Sequence, residues 1–215
     1  MTRREDQGVR LLKAVLIVVM LGVVVSPTAD RASGQGVEVG AARNAIGTLL
    51  VVHPDGIQDR LRGKGLVKLF EEDVLKTEPG SQALIDFTDG VVLALNQNTT
   101  IKLLSRWEKT KGITRIVRLQ EGEVWVKTGE GPKALEVETP VATAVVKETE
   151  FNMRVHPDGQ SVLTVIQGAV EFGTAFGTCP IRTNTVSYGV RGKRCTQPEP
   201  ADVKSVLGWS RPVVQ

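Results

Sequence analysis

The 215-residue chain is poor in aromatic residues, histidine and cysteine, and these shortages limit its chemistry. Only nine side chains are aromatic, so the apolar mass is mostly Val, Leu, Ile and Ala, whose β-branched members favour strands. A zinc site at the two cysteines would need further ligands, and both histidines lie elsewhere in the sequence. We therefore predict neither a metal site nor a bound cofactor.

Patterns typical of catalytic sites are also missing from the sequence. No Gly-rich loop follows a strand and opens a helix, and no nucleophile-elbow sequence accompanies either histidine. Carboxylate pairs such as Asp86/Asp89 and Glu136/Glu138 occur, but charges at alternate strand positions normally form a solvated face. We therefore predict that the protein is not an enzyme.

Both histidines occur in the same tetrapeptide, His-Pro-Asp-Gly, at residues 53–56 and 156–159. The two copies could form a paired His/Asp metal site. They could also be two hairpin turns, in which Pro fixes φ, Asp bonds its own backbone and Gly supplies a left-handed position. We predict turns, because further ligands are lacking.

The net charge of +3 does not point to nucleic acid. Residues 1–34 carry five basic and three acidic side chains, so the remaining chain has a net charge of only +1. The sequence pI near 8.9 therefore belongs largely to this leader, and we predict no nucleic-acid partner.

The leader itself contains an apolar run from Ala14 to Val25, preceded by four basic residues. Twelve residues match a signal-peptide core better than a spanning helix, which needs roughly 20. A cleaved signal peptide, an uncleaved anchor and a buried core helix all remain open for residues 1–34. The first two place the rest of the chain in the periplasm or outside the cell, with membrane contact only through an uncleaved leader.

The two cysteines, Cys179 and Cys195, are sixteen residues apart. In an exported chain such an isolated pair indicates a disulfide, although two unpaired thiols remain an alternative.

Residues 35–45 are small and polar, which predicts a flexible lead-in. From Ile46 onward, short apolar stretches alternate with turn signals, and no amphipathic helical pattern is long enough for a crossover helix. This predicts a single all-β domain over residues 46–196 and a tail over 197–215 with one short helix. The predicted strands are Ile46–Val52, Ala83–Phe87, Val91–Leu95, Ile113–Leu119, Val124–Thr128, Leu135–Val137, Val141–Val146, Phe151–Val155, Val162–Ile166 and Ala169–Phe172.

A basic segment carries Arg106, Trp107, Lys109 and Lys111. It could be a partner-contact loop for an acidic protein, polymer or lipid headgroup. It could also be a hairpin tip whose lysines discourage edge-to-edge pairing.

The order of turn residues resembles the FecR protein domain of bacterial transmembrane sigma-factor regulators and other exported proteins. No single motif is specific, but the ordered set covers about residues 46–173 and extends toward 196. The matching turn residues are Asp73, Thr77, Ser81, Asp89, Gly90, Gly122, Thr139, Pro140, Thr149 and Gly168.

The chain departs from the family pattern at two turns and at its beginning. Glu72 and Glu148 stand where the family has glycine, so these turns must adopt another conformation or carry strain if the glycines serve a positive φ. Only thirteen residues precede the apolar run, too few to fold a cytoplasmic sigma-binding region.

The resemblance implies a β-solenoid or rolled, stacked sheets. It further implies an exported binding or scaffold domain that contacts another envelope protein. Two alternatives stay open: a ligand- or glycan-sensing input domain, and the outer half of a split sigma-factor regulator.

Overall fold

The computed structural model describes residues 36–108, 112–129 and 135–214. Within these ranges the chain is all-β, with fifteen strands and two short C-terminal helices. The elements are β1 Glu38–Val52, β2 Gln58–Phe70, β3 Val74–Thr77, β4 Gln82–Phe87, β5 Val92–Leu95, β6 Thr100–Glu108, β7 Gly112–Lys127, β8 Leu135–Glu138, β9 Ala142–Val146, β10 Glu150–Val155, β11 Ser161–Gln167, β12 Ala169–Thr174, β13 Gly177–Arg182, β14 Thr185–Gly189, β15 Glu199–Pro200, α1 Val203–Leu207 and α2 Arg211–Val214.

Six strands close an antiparallel barrel in the order β1, β4, β5, β7, β6, β3 and back to β1. Closure depends on two long strands that each serve two neighbours. Residues 40–46 of β1 pair with β4, whereas residues 49–52 pair with β3. In β7, the first part pairs with β6 and residues 124–127 pair with β5.

The second half of the domain extends from β7 in two directions. One path runs through β10, β11, β14 and β15, and the other through β8, β9, β12 and β13. The β7–β8 pairing is parallel, while the other pairings along these paths are antiparallel. The described strands therefore form a barrel with extra strands and not a clear solenoid.

Alternating side chains of both halves meet in one core. Leu135 and Val137 point into it, whereas Glu136 and Glu138 are less buried, as the sequence pattern predicts. The apolar run of β5 has a second role, because Ala94 lies outside the barrel in a separate cluster with Trp125. Leu207, Trp209 and Val213 pack on that cluster, so the C-terminal helices cover the outer face of the sheet.

Three sequence predictions need correction. Residues 35–45 are predicted to be a flexible lead-in, but β1 begins at Glu38 and pairs with β2 from Glu38 and with β4 from Gly40. Residues 120–123 were predicted to be a turn, but they lie within the continuous β7. One short helix was predicted in the tail, but the structure has two, α1 and α2, separated by a turn at residues 208–210.

Six observed strands were absent from the predicted set: β2, β3, β6, β13, β14 and β15. In β2, glycines and charges interrupt the apolar pattern. The leader, residues 1–34, lies outside the described residues. None of the helices in the described part of the chain is long and apolar enough to cross a membrane.

Candidate functional site

Two pairs of threonines form matching double hydrogen bonds between turns, which we call brackets. Each bracket contains one residue of the FecR-like pattern, Thr77 or Thr149. In the first, the Thr77 N–H donates to the Thr99 carbonyl at 3.0 Å, and the Thr99 N–H donates to Thr77 Oγ1 at 3.0 Å. In the second, the Thr128 N–H donates to the Thr149 carbonyl at 2.9 Å, and the Thr149 N–H donates to Thr128 Oγ1 at 2.7 Å. Because these threonines satisfy buried backbone groups, their role is structural.

Two glycines of the pattern allow other strands to approach these brackets closely. Gly122 has φ +90°, and a Cβ there would lie 2.5 Å from Thr99 Cα. Gly168 has φ +88°, and a Cβ there would lie 2.9 Å from the Glu148 carbonyl oxygen. Both sites therefore require glycine for space as well as for backbone conformation.

The other pattern residues also lie in turns. Ser81 Oγ accepts the Thr48 N–H at 3.0 Å. Thr139 Oγ1 accepts the Ala142 N–H at 2.9 Å, across the turn that contains Pro140. Both side chains therefore hold a turn by accepting a main-chain N–H.

The Asp89-Gly90 hairpin is anchored by an ion pair. Arg115 donates to Asp89 Oδ2 through Nη2 at 2.7 Å and through Nε at 2.8 Å. Its guanidinium also lies 4.5 Å from the centre of the Phe87 ring. Both charged side chains are largely buried, so the pair holds the hairpin tip against β7.

His53 joins two carboxylates near the turn between β1 and β2. Its Nδ1 lies 2.7 Å from Oδ1 of the buried Asp73, and its Nε2 lies 3.2 Å from Oδ2 of the exposed Asp59. Two acceptors require two N–H donors, which only the charged imidazolium provides. Burial lowers the pKa of His53, but the hydrogen bonds and charges of Asp73 and Asp59 outweigh it, so the pKa is raised.

Asp73 is held on its other oxygen by the main chain. Its Oδ2 accepts the Phe70 N–H at 2.8 Å. Burial raises the pKa of Asp73, while this bond and the contact with His53 act in the opposite direction. The arrangement therefore ties the end of β1 to the end of β2.

Both His-Pro-Asp-Gly segments are turns. The Gly56 N–H donates to the His53 carbonyl at 2.9 Å, and the Gly159 N–H donates to the His156 carbonyl at 2.8 Å. Among the described side chains, no group of three or more His, Cys, Asp or Glu is placed to hold a metal ion.

The predicted contact loop is the β6–β7 hairpin. Its Trp107 is 70% exposed, whereas Arg106 contacts Glu136 and Glu138 of β8 at 3.2 and 3.4 Å. Arg118 also pairs with Glu138, at 2.9 Å. These contacts neutralise much of the basic charge near the tryptophan. The predicted loop lysines, Lys109 and Lys111, lie outside the described residues.

Cys179 and Cys195 form a disulfide, as their isolated pairing in the sequence predicts. It lies near a groove of about 560 Å³ lined by the turns after β8, β12 and β14. Phe176, 61% exposed, borders this groove. The sequence analysis did not identify the groove, because its three turns are distant in sequence.

The exposed strand β2 was also missed. It carries Arg60, Arg62 and Lys64, and all three side chains are exposed. Charges at alternate positions are the period-two pattern of a strand with one solvated face. The alternate spacing of Arg60, Arg62 and Lys64 could therefore have indicated the strand β2 from the sequence.

Comparisons with known proteins agree with the resemblance. Residues 73–171 match the family model described as FecR protein. Two crystal structures of a putative anti-sigma factor from Parabacteroides distasonis share the fold, each with a TM-score of 0.54 and 19% sequence identity. The match covers 64% of this chain and 64% or 63% of those chains. No curated protein matches the sequence.

The described part of the chain is therefore an all-β domain in which paired threonines link the turns. Within that domain, residues 73–171 are the part that matches the FecR family model.

Proposed function

We propose that the protein is a non-enzymatic domain of an envelope signalling regulator, exported and bound to a partner protein through the β6–β7 hairpin. The FecR match and the anti-sigma description of the similar structures support the signalling role. The disulfide supports an oxidising compartment, since such bonds persist outside the cytoplasm.

The observation that carries the proposal is the exposure of Trp107 on an anchored hairpin. Tryptophan and arginine are the residues that most often dominate protein interfaces. Beyond Lys102, β6 has no pairing with β3, so residues 104–108 have β7 as their neighbouring strand. The contacts of Arg106 with β8 hold this strand in place before a partner binds, which reduces the entropic cost of association.

The test is site-specific photocrosslinking of the full chain in cells. A photoreactive residue at position 107 should capture a discrete partner, and the same residue at position 176 is the control. Phe176 is similarly exposed but lies at the groove near the disulfide. Equal capture at both positions, or none at 107 with capture at 176, would refute the hairpin as the binding surface.

W107A provides the quantitative form of the same test. Because the side chain is mostly exposed, the free energy of unfolding should change by less than about 0.5 kcal/mol. Crosslinking to the partner through a neighbouring hairpin position should nevertheless fall at least about tenfold, as for an interface hot spot. F176A should leave capture unchanged.

A second candidate is a ligand-sensing domain that uses the groove beside Phe176. Its cavity has the size of a small-molecule site, and Pro140, Val141 and Val190 supply apolar lining. Screening a set of envelope glycans and small metabolites for a thermal shift distinguishes the two. A shift that is lost in F176A and kept in W107A would favour sensing over partner binding.

The split-regulator alternative makes the same FecR domain the outer half of a sigma-factor system. A cytoplasmic partner bearing a sigma-binding region should then be recovered with the full chain under native conditions. Recovery of an outer-membrane or periplasmic protein alone would instead favour the leading proposal.

A further inference from the structure

The long strand β2 has one free edge. Within the described residues it pairs with β1 alone, from Glu38↔Phe70 to Val52↔Gln58. Its side chains are mostly exposed over residues 58–66. The outward main-chain N–H and C=O groups are therefore available to an added strand.

The edge strand β13 provides a contrast. There the Arg194 guanidinium donates to the Thr178 carbonyl at 2.9 Å. The disulfide between Cys179 and Cys195 holds the same segment against the strand. One end of the sheet is thus covered by the chain itself, whereas the β2 edge is open.

A bend in the β1–β2 hairpin creates a cavity beside this open edge. Between Ala45↔Gly63 and Leu49↔Leu61, β1 contains two more residues than β2, which is a bulge. The bend brings Arg60 from the start of β2 near Lys68 from its end, and both line a cavity of about 340 Å³.

The charge around this cavity is positive. Strand β2 carries four basic side chains, Arg60, Arg62, Lys64 and Lys68, against the single acidic Asp59, although Lys68 is paired with Glu38 of β1 at 2.9 Å. His53 bonds that one carboxylate at 3.2 Å, which reduces its negative field. Arg60 and Lys64 are exposed and form no ion pair with another described residue. The complementary ligand group is a carboxylate.

We propose that the β2 edge binds an extended, acidic segment of a partner protein by strand addition. Main-chain hydrogen bonds to β2 supply the strand pairing, and alternate acidic side chains of the segment meet Arg60, Lys64 and the cavity. This surface goes beyond the hairpin of the proposed function, and the two can fail separately.

The test uses the full chain and a synthetic octapeptide of alternating Thr and Glu, blocked at both ends. Hydrogen-exchange mass spectrometry should show new protection in residues 58–70, and fluorescence anisotropy should give a salt-dependent Kd. A peptide with the same side chains but N-methyl groups at alternate amides should bind at least about tenfold more weakly, because it cannot complete the ladder. A Thr/Lys peptide should not bind.

Matched variants locate the site. R60E and K64E should each weaken binding of the acidic peptide by about threefold or more, whereas K147E, an exposed turn lysine outside β2, should not. W107A should bind the peptide normally, so failure of the hairpin proposal remains distinguishable.

Three results would overturn the inference. The first is equal binding of the N-methylated and unmodified peptides, which would indicate charge attraction without strand pairing. The second is protection confined to residues outside 58–70, or no binding at all. The third is a concentration-dependent dimer whose β2 amides are already protected without peptide, because the edge would then belong to a second copy of this chain.

Discussion

Replacement of Glu148 by glycine should stabilise the protein, although it removes a charged side chain and adds backbone freedom. Glu148 has φ +52°, in the left-handed region, at the position where the FecR pattern has glycine. Its side chain is exposed and makes no hydrogen bond or ion pair among the described residues. Glycine at this site therefore relieves the backbone without losing a contact.

The expected gain follows from two opposing terms. A left-handed conformation costs a residue with a Cβ about 1–2 kcal/mol. Glycine costs about 0.4–1 kcal/mol through the larger conformational entropy of the unfolded chain. The difference lies between about 0 and 1.6 kcal/mol of stabilisation, and its central value of about 0.8 kcal/mol raises Tm by about 2–3 °C in a domain of this size.

Urea unfolding with the disulfide intact measures the change in the free energy of unfolding, and two variants serve as controls. E171G makes the same chemical change in β12, where the backbone φ is not positive, and should destabilise the fold. G168A should cost about 2–4 kcal/mol, because its Cβ would meet the Glu148 carbonyl oxygen. If E148G destabilises as much as E171G, the strain argument is wrong.

Three further predictions concern the anchors of the fold. C179S/C195S should lose roughly 3 kcal/mol of stability in urea unfolding, and an unchanged midpoint would show that the sixteen-residue loop is constrained by other means. R115A leaves the buried Asp89 carboxylate without its ion pair and should lower the free energy of unfolding by about 2–4 kcal/mol. K127A removes the exposed partner of Glu150 and should lower it by less than about 1 kcal/mol. Equal losses in the two variants would contradict the burial argument. Because the pKa of His53 is raised on folding, the stability that the charged imidazolium contributes is complete below pH 6.5 and is lost as pH rises through the folded-state pKa. H53Q should abolish this decline in the free energy of unfolding. An unchanged pH profile in H53Q would contradict the prediction.

Most of the turns and several of the short strands between them could be predicted from local sequence, although β3, β13 and β14 were not. Asp-Gly and His-Pro-Asp-Gly contain the residue types that particular turn geometries need, so their positions are fixed within a few residues. The alternation at 135–138 likewise reports one buried and one solvated face. These features depend on neighbours in the chain and not on the tertiary fold.

The long bent strands could not be predicted in this way. In β7, Gly122 resembles a turn residue, but its positive φ bends a continuous strand past Thr99. In β2, two glycines interrupt the apolar pattern: Gly63 has φ +68°, and Gly65 lies against the Leu61 side chain. Gly122 allows β7 to approach Thr99, which is distant in sequence, and Gly65 allows β2 to approach its own Leu61. A local sequence pattern does not reveal such contacts.

The residues that identify the domain differ from the residues that could bind a partner. The pattern residues Asp73, Thr77, Ser81 and Thr149 are buried. The side chains of Asp73, Thr77 and Ser81 accept main-chain N–H groups, whereas Thr149 donates its own main-chain N–H to Thr128 Oγ1 and its Oγ1 has no hydrogen-bond partner among the described residues. A partner protein cannot touch them without unfolding the domain. Two chains can therefore share this pattern and recognise different partners. The choice of partner must depend on exposed residues outside the pattern, which is why Trp107 and the basic edge of β2 are the positions to test.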